Sequence, residues 1–478
     1  MNPERAKKEI REECGVFAIS SYKKAFECCV LGLHALQHRG QEAAGIATAD
    51  QSKQSKLFVH TGPGYVNEIF KEISLPGESA IGHVRYSTSG NSLDQQPIYA
   101  NLSIGELAMA HNGNLTNVNL MRRQLESKGC VFQTTIDTEV FVHLIATSQN
   151  KSLAERLKDA CRQVKGAYSL VLITKDQVIG LRDPLGIRPL VLGRLENSYV
   201  IASESCALDA VGASLIRDIN PGEIIILNKN SMDSTYIELA EKPSQKFCIF
   251  EYVYFARPDS IVEKKSVYEA RKEIGRVLAK ERRIEADMAV PLPDSGIPIA
   301  IGYAESAKIP FELGIVRSHY VGRTFIEPTQ EARDLAVTLK HNINRAVVVG
   351  KKIILIDDSV VRGTTTKRIV EMLRRAGAKE VHLCVGSPPF AHPCFYGIDT
   401  PNKEHLLATG HSIDEMNKII GSDSLNFISL EGLYKAMGIY RDNNNPQYCD
   451  ACLSGDYPIA ISGISESSEK QETSKISL

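Results

Sequence analysis

The sequence carries almost no excess of either charge: 56 Lys and Arg stand against 57 Asp and Glu, a formal net charge of −1 with a pI near 6.9. Without a basic excess there is no electrostatic footprint for nucleic acid or an anionic membrane. No apolar run is long enough to span a bilayer. The opening residues, MNPERAKKEIREE, are charged throughout and have no apolar core of the kind a secretory signal carries, so a cytoplasmic location is expected. No internal repeat is visible. The 11 cysteines are then expected to be reduced thiols, catalytic groups or metal ligands rather than disulfides. A length of 478 residues leaves room for two or three domains.

What is present is organised around residues 353–366, IILIDDSVVRGTTT. Four apolar residues with no polar alternation predict a strand buried on both faces of a parallel sheet. Asp357 and Asp358 then fall at the carboxyl edge, where open α/β sheets place their ligands. Ser359, Arg362, Gly363, Thr364, Thr365 and Thr366 follow just before a helical pattern, which makes an anion site at a helix N-terminus. Two carboxylates beside a phosphate cradle can hold a ribose diol or its Mg²⁺ while the loop holds a 5′-phosphate. An isolated Asp-Asp-Ser would merely cap a helix; the buried strand before it and R-G-T-T-T after it favour the ligand site. There is no Walker lysine after the glycine, which disfavours a nucleotide triphosphatase.

The first half reads as short strands and turns. Cys14 opens a strand, a helical segment follows at 28–37, and strands recur at 169–173, 178–181 and 223–227, with 207–209 following S-E-S-C. This predicts an α+β domain of two packed sheets over 14–246, with the boundary in the polar stretch 231–246. From Cys248 onward the pattern alternates: a helix at 267–281, a strand at 288–290, a helix at 297–307, then the central strand and helix. Alternation predicts a parallel, doubly wound α/β domain over 247–440. Residues 441–478 form a C-terminal segment, and 463–478, rich in Ser, Glu and Lys, are expected to be disordered.

Alone, Cys14 would be read as a buried structural thiol. Its companions change that: Arg39 in H-R-G-Q-E, Arg85 and Thr88 in H-V-R-Y-S-T, Asn112-Gly113 in A-H-N-G-N-L and Asp137 in T-I-D-T-E. The set resembles the class II, N-terminal nucleophile glutamine amidotransferase domain. That resemblance implies a cleaved leader, residues 1–13, and a free α-amine on Cys14 that takes the thiol proton. It implies Cys14 as the nucleophile, Asn112 and Gly113 as oxyanion donors, and Arg85, Thr88 and Asp137 as holders of the glutamine backbone. Arg39 would order the site or form a structural ion pair.

Residues 353–366 resemble the phosphoribosyl diphosphate (PRPP) motif of type I phosphoribosyltransferases. With E-Y-V-Y-F-A-R-P-D-S (251–260), P-L-P-D-S-G (291–296), Y-V-G-R-T-F-I (320–326) and S-P-P-F-A-H-P-C-F-Y-G (387–397), the chain resembles the amidophosphoribosyltransferase family. The resemblance implies that glutamine and PRPP yield 5-phosphoribosylamine, glutamate and pyrophosphate in purine synthesis, with ammonia passed between two sites. Mg²⁺ would be met by Ser295, Asp357 and Asp358, PRPP would be bound by Asp357, Asp358, Ser359, Arg362, Gly363, Thr364, Thr365 and Thr366 with Arg323 closing over pyrophosphate, and Tyr254 would couple the sites. A homotetramer or dimer is implied, and purine nucleotides as feedback inhibitors. Where many members read K-N-R-Y, this chain has Arg317-Ser318-His319-Tyr320, which weakens the feedback expectation.

By itself the C-x-x-C of Cys449 and Cys452 is a zinc half-site, a cluster half-site or two surface thiols. Resemblance to the iron-sulfur subgroup adds Cys248 and Cys394 and implies a [4Fe–4S] cluster of structural or oxygen-sensing role. Cys28, Cys29, Cys130, Cys161, Cys206 and Cys384 are expected as core thiols. Two other readings stand beside these: a PRPP or nucleotide sensor without chemistry, and a class II amidotransferase for another acceptor.

Overall fold

The structure, a computed structural model, describes residues 11–12, 14–50, 56–86, 94–229, 231–240, 243–318, 339–400 and 403–461. Two antiparallel sheets form the first half. The seven-stranded sheet runs in the order Ser214–Asp218, Val191–Leu195, Ser198–Ala202, Gly15–Ser20, Ser79–Arg85, Ala43–Asp50, Lys56–Pro63. The six-stranded sheet runs Met232–Tyr236, Glu223–Leu227, Val178–Arg182, Gly166–Thr174, Gly105–Leu115, Ile98–Leu102. They pack face to face through small and branched residues, among them Val16, Ala18, Ala47, Ala108, Ala110 and Val171, all fully buried. Helices Ala25–Ala35 and Ser205–Val211 cover the outer face of the first sheet, and Thr138–Thr147 and Leu153–Gln163 that of the second. The expected two packed sheets with flanking helices are therefore present.

The second half is built on a four-stranded parallel sheet ordered Met288–Pro291, Lys352–Asp357, Glu380–Val385, Ser424–Phe427. Lys352–Asp357 is buried on both faces as its composition requires: Ile354 and Ile356 enter one core, Ile353 and Leu355 the other. Helices Val267–Glu281 and Gly296–Ala307 cover the first face. They cross at backbone contact, since a Cβ on Gly275 would lie 1.9 Å from the Ile299 carbonyl and one on Gly302 1.9 Å from that of Lys272. Thr364–Arg375 and Ile413–Ile420 cover the other face.

The structure differs from the sequence reading in two places. The early helix is Ala25–Ala35, followed by a separate short turn at Gln37–Arg39. The polar stretch 231–246 contains Met232–Tyr236, an edge strand paired with Glu223–Leu227; an edge strand with half-exposed faces needs little apolar character.

Candidate active sites and the cysteine group

Cys14 stands at the start of Gly15–Ser20, in the middle of the seven-stranded sheet, with a left-handed φ of 68° and 6% exposure. Its Sγ lies 3.7 Å from the Tyr86 carbonyl, and the next strand residue but one, Val16, donates its N–H to Ser203 Oγ at 2.9 Å. Residues 1–13 precede Cys14 in this chain, so its nitrogen is a peptide nitrogen. Behind it, a Cβ on Gly15 would sit 3.4 Å from Arg39 Cβ, and one on Gly40 2.4 Å from Arg85 N, which places both arginines against the base of the strand.

Asn112 is fully buried, and among the described residues neither its Oδ1 nor its Nδ2 has a hydrogen-bond partner. Burying an amide without partners costs about 1–3 kcal/mol, so an unsatisfied amide in a strand of full ladder pairing is a group held ready for a ligand. Gly113 beside it has φ 144°, and a Cβ there would meet the Ala167 carbonyl at 2.0 Å; no other residue fits. Asp137 is buried at the start of Thr138–Thr147. It accepts from Leu115 N–H at 3.0 Å and faces His111 Nδ1 at 3.3 Å. Burial pushes the Asp137 carboxyl up, but the His111 ring together with the Leu115 and Thr138 N–H groups outweighs it and holds the carboxyl below the usual range. His111 was not singled out in the sequence although it lies within H-N-G. Thr88 lies outside the described residues.

The second candidate site is a cavity of about 210 Å³ at the carboxyl edge of the parallel sheet, lined by Tyr254, Ser295, Asp357, Asp358 and the loop through Thr366. Asp357 ends its strand. It accepts from Asp358 N–H at 2.9 Å and Thr366 Oγ1 at 3.2 Å; Ser359 Oγ donates to Asp358 at 2.5 Å, and Ser295 Oγ to the other Asp358 oxygen. Both carboxyls are raised above their ordinary values, first by burial and, for Asp357, next by the charge of Asp358. Two adjacent buried carboxylates of this kind favour a bound cation. Gly363, at φ 73°, turns the chain into Thr364–Arg375, so Thr364, Thr365 and Thr366 form the first turn of that helix and line the cavity. Arg323 and Tyr320 lie outside the described residues, while Arg317 pairs with Asp294 beside the same cavity.

A buried ion network joins the halves. Arg39 pairs with Glu204 through Nε and with Glu251 through Nη2 at 2.5 Å; Arg188 meets the second Glu251 oxygen at 2.9 Å, and His38 reaches Glu204 at 2.7 Å. Glu251 opens the wide helical turn Glu251–Phe255, which carries Tyr254 to the second cavity. Glu251 opens one of the motif stretches, but its pairing with Arg39 and Arg188, and that of Glu204 with Arg39, had no local sequence signal because each partner is distant along the chain.

Residues 83–210 match the glutamine amidotransferase domain and residues 264–387 the phosphoribosyl transferase domain. The amidophosphoribosyltransferase of Rhizobium etli is 50% identical over 463 residues, which cover 95% of this chain and 93% of that protein. That of Bacillus subtilis is 46% identical over 460 residues, 95% and 96% of the two chains. The chain belongs to the amidophosphoribosyltransferase family. It is a glutamine-dependent phosphoribosyltransferase. The solved glutamine PRPP amidotransferase of B. subtilis, complexed with ADP and GMP, matches with a TM-score of 0.88 at 46% identity, covering 94% of this chain and 98% of that one.

In this amidophosphoribosyltransferase chain four of the cysteines converge. Phe247–Cys248 pairs in parallel with Tyr448–Cys449, so Cys248 and Cys449 are register partners on adjacent strands. The Cys452 carbonyl accepts from the N–H groups of Ala391 and His392, at 3.2 and 3.1 Å, which brings Cys394 alongside. Tyr396 N–H points at Cys394 Sγ, 3.3 Å away. Burial pushes the thiols of Cys449 and Cys452 up, and Cys248 and Cys394 add to it as charges close enough to interact. Among the described residues no three His, Cys, Asp or Glu side chains gather closely enough for a single metal ion. Cys28, Cys29, Cys161, Cys206 and Cys384 are buried thiols. No helix among the described residues is long and apolar enough to cross a membrane.

Proposed function

We propose that this chain makes 5-phosphoribosylamine, glutamate and pyrophosphate from glutamine, water and PRPP, the entry step of purine biosynthesis. The observation that supports the reading is the presence in one chain of two donor sets: a buried cysteine on one sheet with an asparagine amide on the facing sheet that has no partner among the described residues, and an acidic pair beside a helix start. The phosphoribosyl transferase domain argues against an amidotransferase for another acceptor, and the intact first set against a sensor.

Removal of residues 1–13 frees the Cys14 amine, which takes the thiol proton as Sγ attacks the glutamine amide carbon. The carbonyl oxygen becomes an oxyanion, received by Asn112 Nδ2 and Gly113 N–H, a contribution of about 2.7–4 kcal/mol per donor. Arg85 and Thr88 hold the glutamine carboxylate and Asp137 its ammonium. Ammonia leaves, water hydrolyses the thioester, and glutamate departs. Kept from bulk water, ammonia attacks C1 of PRPP; the new C–N bond forms as the C1–oxygen bond to pyrophosphate breaks, and the nitrogen gives up a proton.

In the second site Thr364, Thr365 and Thr366, with Ser359, Arg362 and Gly363, hold the 5′-phosphate, Asp357 and Asp358 the ribose side, and Arg323 the pyrophosphate. Asp357, Asp358 and Ser295 would hold Mg²⁺, whose chemistry is to neutralise the departing pyrophosphate; the raised carboxyls fit a cation there. Tyr254, which lines the cavity, is the residue proposed to couple the two sites.

Because their side chains converge, Cys248, Cys394, Cys449 and Cys452 would hold a [4Fe–4S] cluster, one cysteine per iron. Its chemistry here is to bind the C-terminal segment, since neither half-reaction moves electrons. The division at 14–246, 247–440 and 441–478, a cytoplasmic location, a homotetramer or dimer, and feedback by purine nucleotides complete the proposal. The nucleotide part is supported by the ADP and GMP of the B. subtilis complex.

The deciding experiment replaces Cys14 by Ala in the full chain. Synthesis with glutamine should vanish while synthesis with ammonia persists; a variant that still uses glutamine would overturn the assignment.

A further inference from the structure

The oxyanion strand does not stand alone. Asn114 Nδ2 donates to the Phe395 carbonyl at 2.9 Å, across 281 residues of sequence. Gly397, at φ 105°, approaches so closely that a Cβ on it would lie 2.9 Å from Gly113 Cα and 3.2 Å from Gly113 C. On its other side Gly113 is pressed against the Ala167 carbonyl, where its own Cβ would stand at 2.0 Å. Gly113 is thus clamped between its sheet neighbour and a loop of the second domain.

We infer that Phe395 and Gly397 are positioning residues for the oxyanion hole, so that the glutamine site is completed by the phosphoribosyltransferase half. The inference rests on the glutaminase reading above. The loop is itself anchored. Cys394 N–H donates to Thr400 Oγ1 at 2.9 Å, the Tyr396 hydroxyl donates to the Ile459 carbonyl at 2.7 Å, and the Tyr457 hydroxyl to that of Pro393 at 2.7 Å. Ile398–Asp399 also pairs antiparallel with Arg11–Glu12 of the leader, a contact that ends when residues 1–13 are removed. A single seven-residue stretch, 393–399, therefore touches both the oxyanion strand and the C-terminal segment.

Such a clamp matters because oxyanion donors act only once charge has moved onto the carbonyl oxygen. A donor displaced by about 1 Å costs roughly 100-fold in rate while ground-state binding of glutamine is kept. Loosening the loop should therefore lower kcat with glutamine and leave its KM in place.

The test uses full-length Gly397→Ala and Asn114→Ala beside Cys14→Ala. Pyrophosphate release from PRPP is followed with glutamine and separately with ammonia, and the visible absorbance of each protein is recorded. Gly397→Ala should lower kcat with glutamine roughly 10- to 100-fold, with KM for glutamine, the ammonia rate and the absorbance unchanged. Asn114→Ala, which adds no atoms and keeps the backbone free of strain, should give a smaller fall of the same kind, and it decides the matter if Gly397→Ala does not fold. Wild-type kcat with glutamine in Asn114→Ala, or an equal fall with ammonia, overturns the inference. Failure of the underlying reading looks different: Cys14→Ala itself would then keep its glutamine-dependent rate.

Discussion

Arg39 and Glu251, 212 residues apart in sequence, pair at 2.5 Å with both side chains shut off from solvent. Arg39 also holds Glu204, and Glu251 also holds Arg188, so each charge is met twice. Removing one member leaves the rest uncompensated in the interior. Glu251→Ala should lower the unfolding free energy by about 3–5 kcal/mol, read from urea denaturation. A change under about 1 kcal/mol would mean that water reaches the network.

Asn112→Ala separates function from stability. The amide has no partner to lose among the described residues, so the thermal midpoint should stay or rise slightly. Synthesis with glutamine should fall about 100- to 1000-fold, and synthesis with ammonia should persist. A large loss of stability would show the amide to be structural.

The acidic pair makes a pH prediction. Both carboxyls are raised, by burial first, so the folded protein keeps protons that the unfolded chain has released. Stability is then fully present below the ordinary Asp range, about pH 4, and is lost as pH rises through the raised values. In the absence of divalent cation, Asp357→Asn should therefore be more stable than wild type near neutrality and equal to it near pH 4, while PRPP turnover disappears. Added Mg²⁺ should stabilise wild type and not the variant. Equal melting of the two proteins at neutral pH in chelator would contradict the assignment.

Cys449→Ser addresses the cysteine group. Anaerobically purified wild type should contain about four iron and four sulfide per chain; the variant should lose both, and the segment after Cys449 should become open to protease. Zinc in place of iron in the wild-type protein would overturn the cluster.

Elements with strong local chemistry were legible in the sequence. The helix 267–281 was read at both ends because Ser266 caps it, accepting from Glu269 N–H at 3.3 Å, and because its apolar residues recur at helical spacing. The strand ending at Asp357 was legible from its unbroken apolar run. Met232–Tyr236 was not, since an edge strand of polar residues looks like a linker. Nor could the sequence reveal how Arg188, Glu204 and Glu251 pair, since each partner is remote along the chain. Gly397 against Gly113 belongs to the same class: a close approach of two backbones leaves only two glycines behind as its trace.

The central claim is that one chain couples glutamine cleavage to phosphoribosyl transfer. Its most direct test measures glutamate and pyrophosphate together, with Mg²⁺ and glutamine, in the presence and absence of PRPP. The account predicts equal amounts of both products and glutamate release that depends on PRPP. Glutamate formed at the same rate without PRPP, with no pyrophosphate, would contradict it.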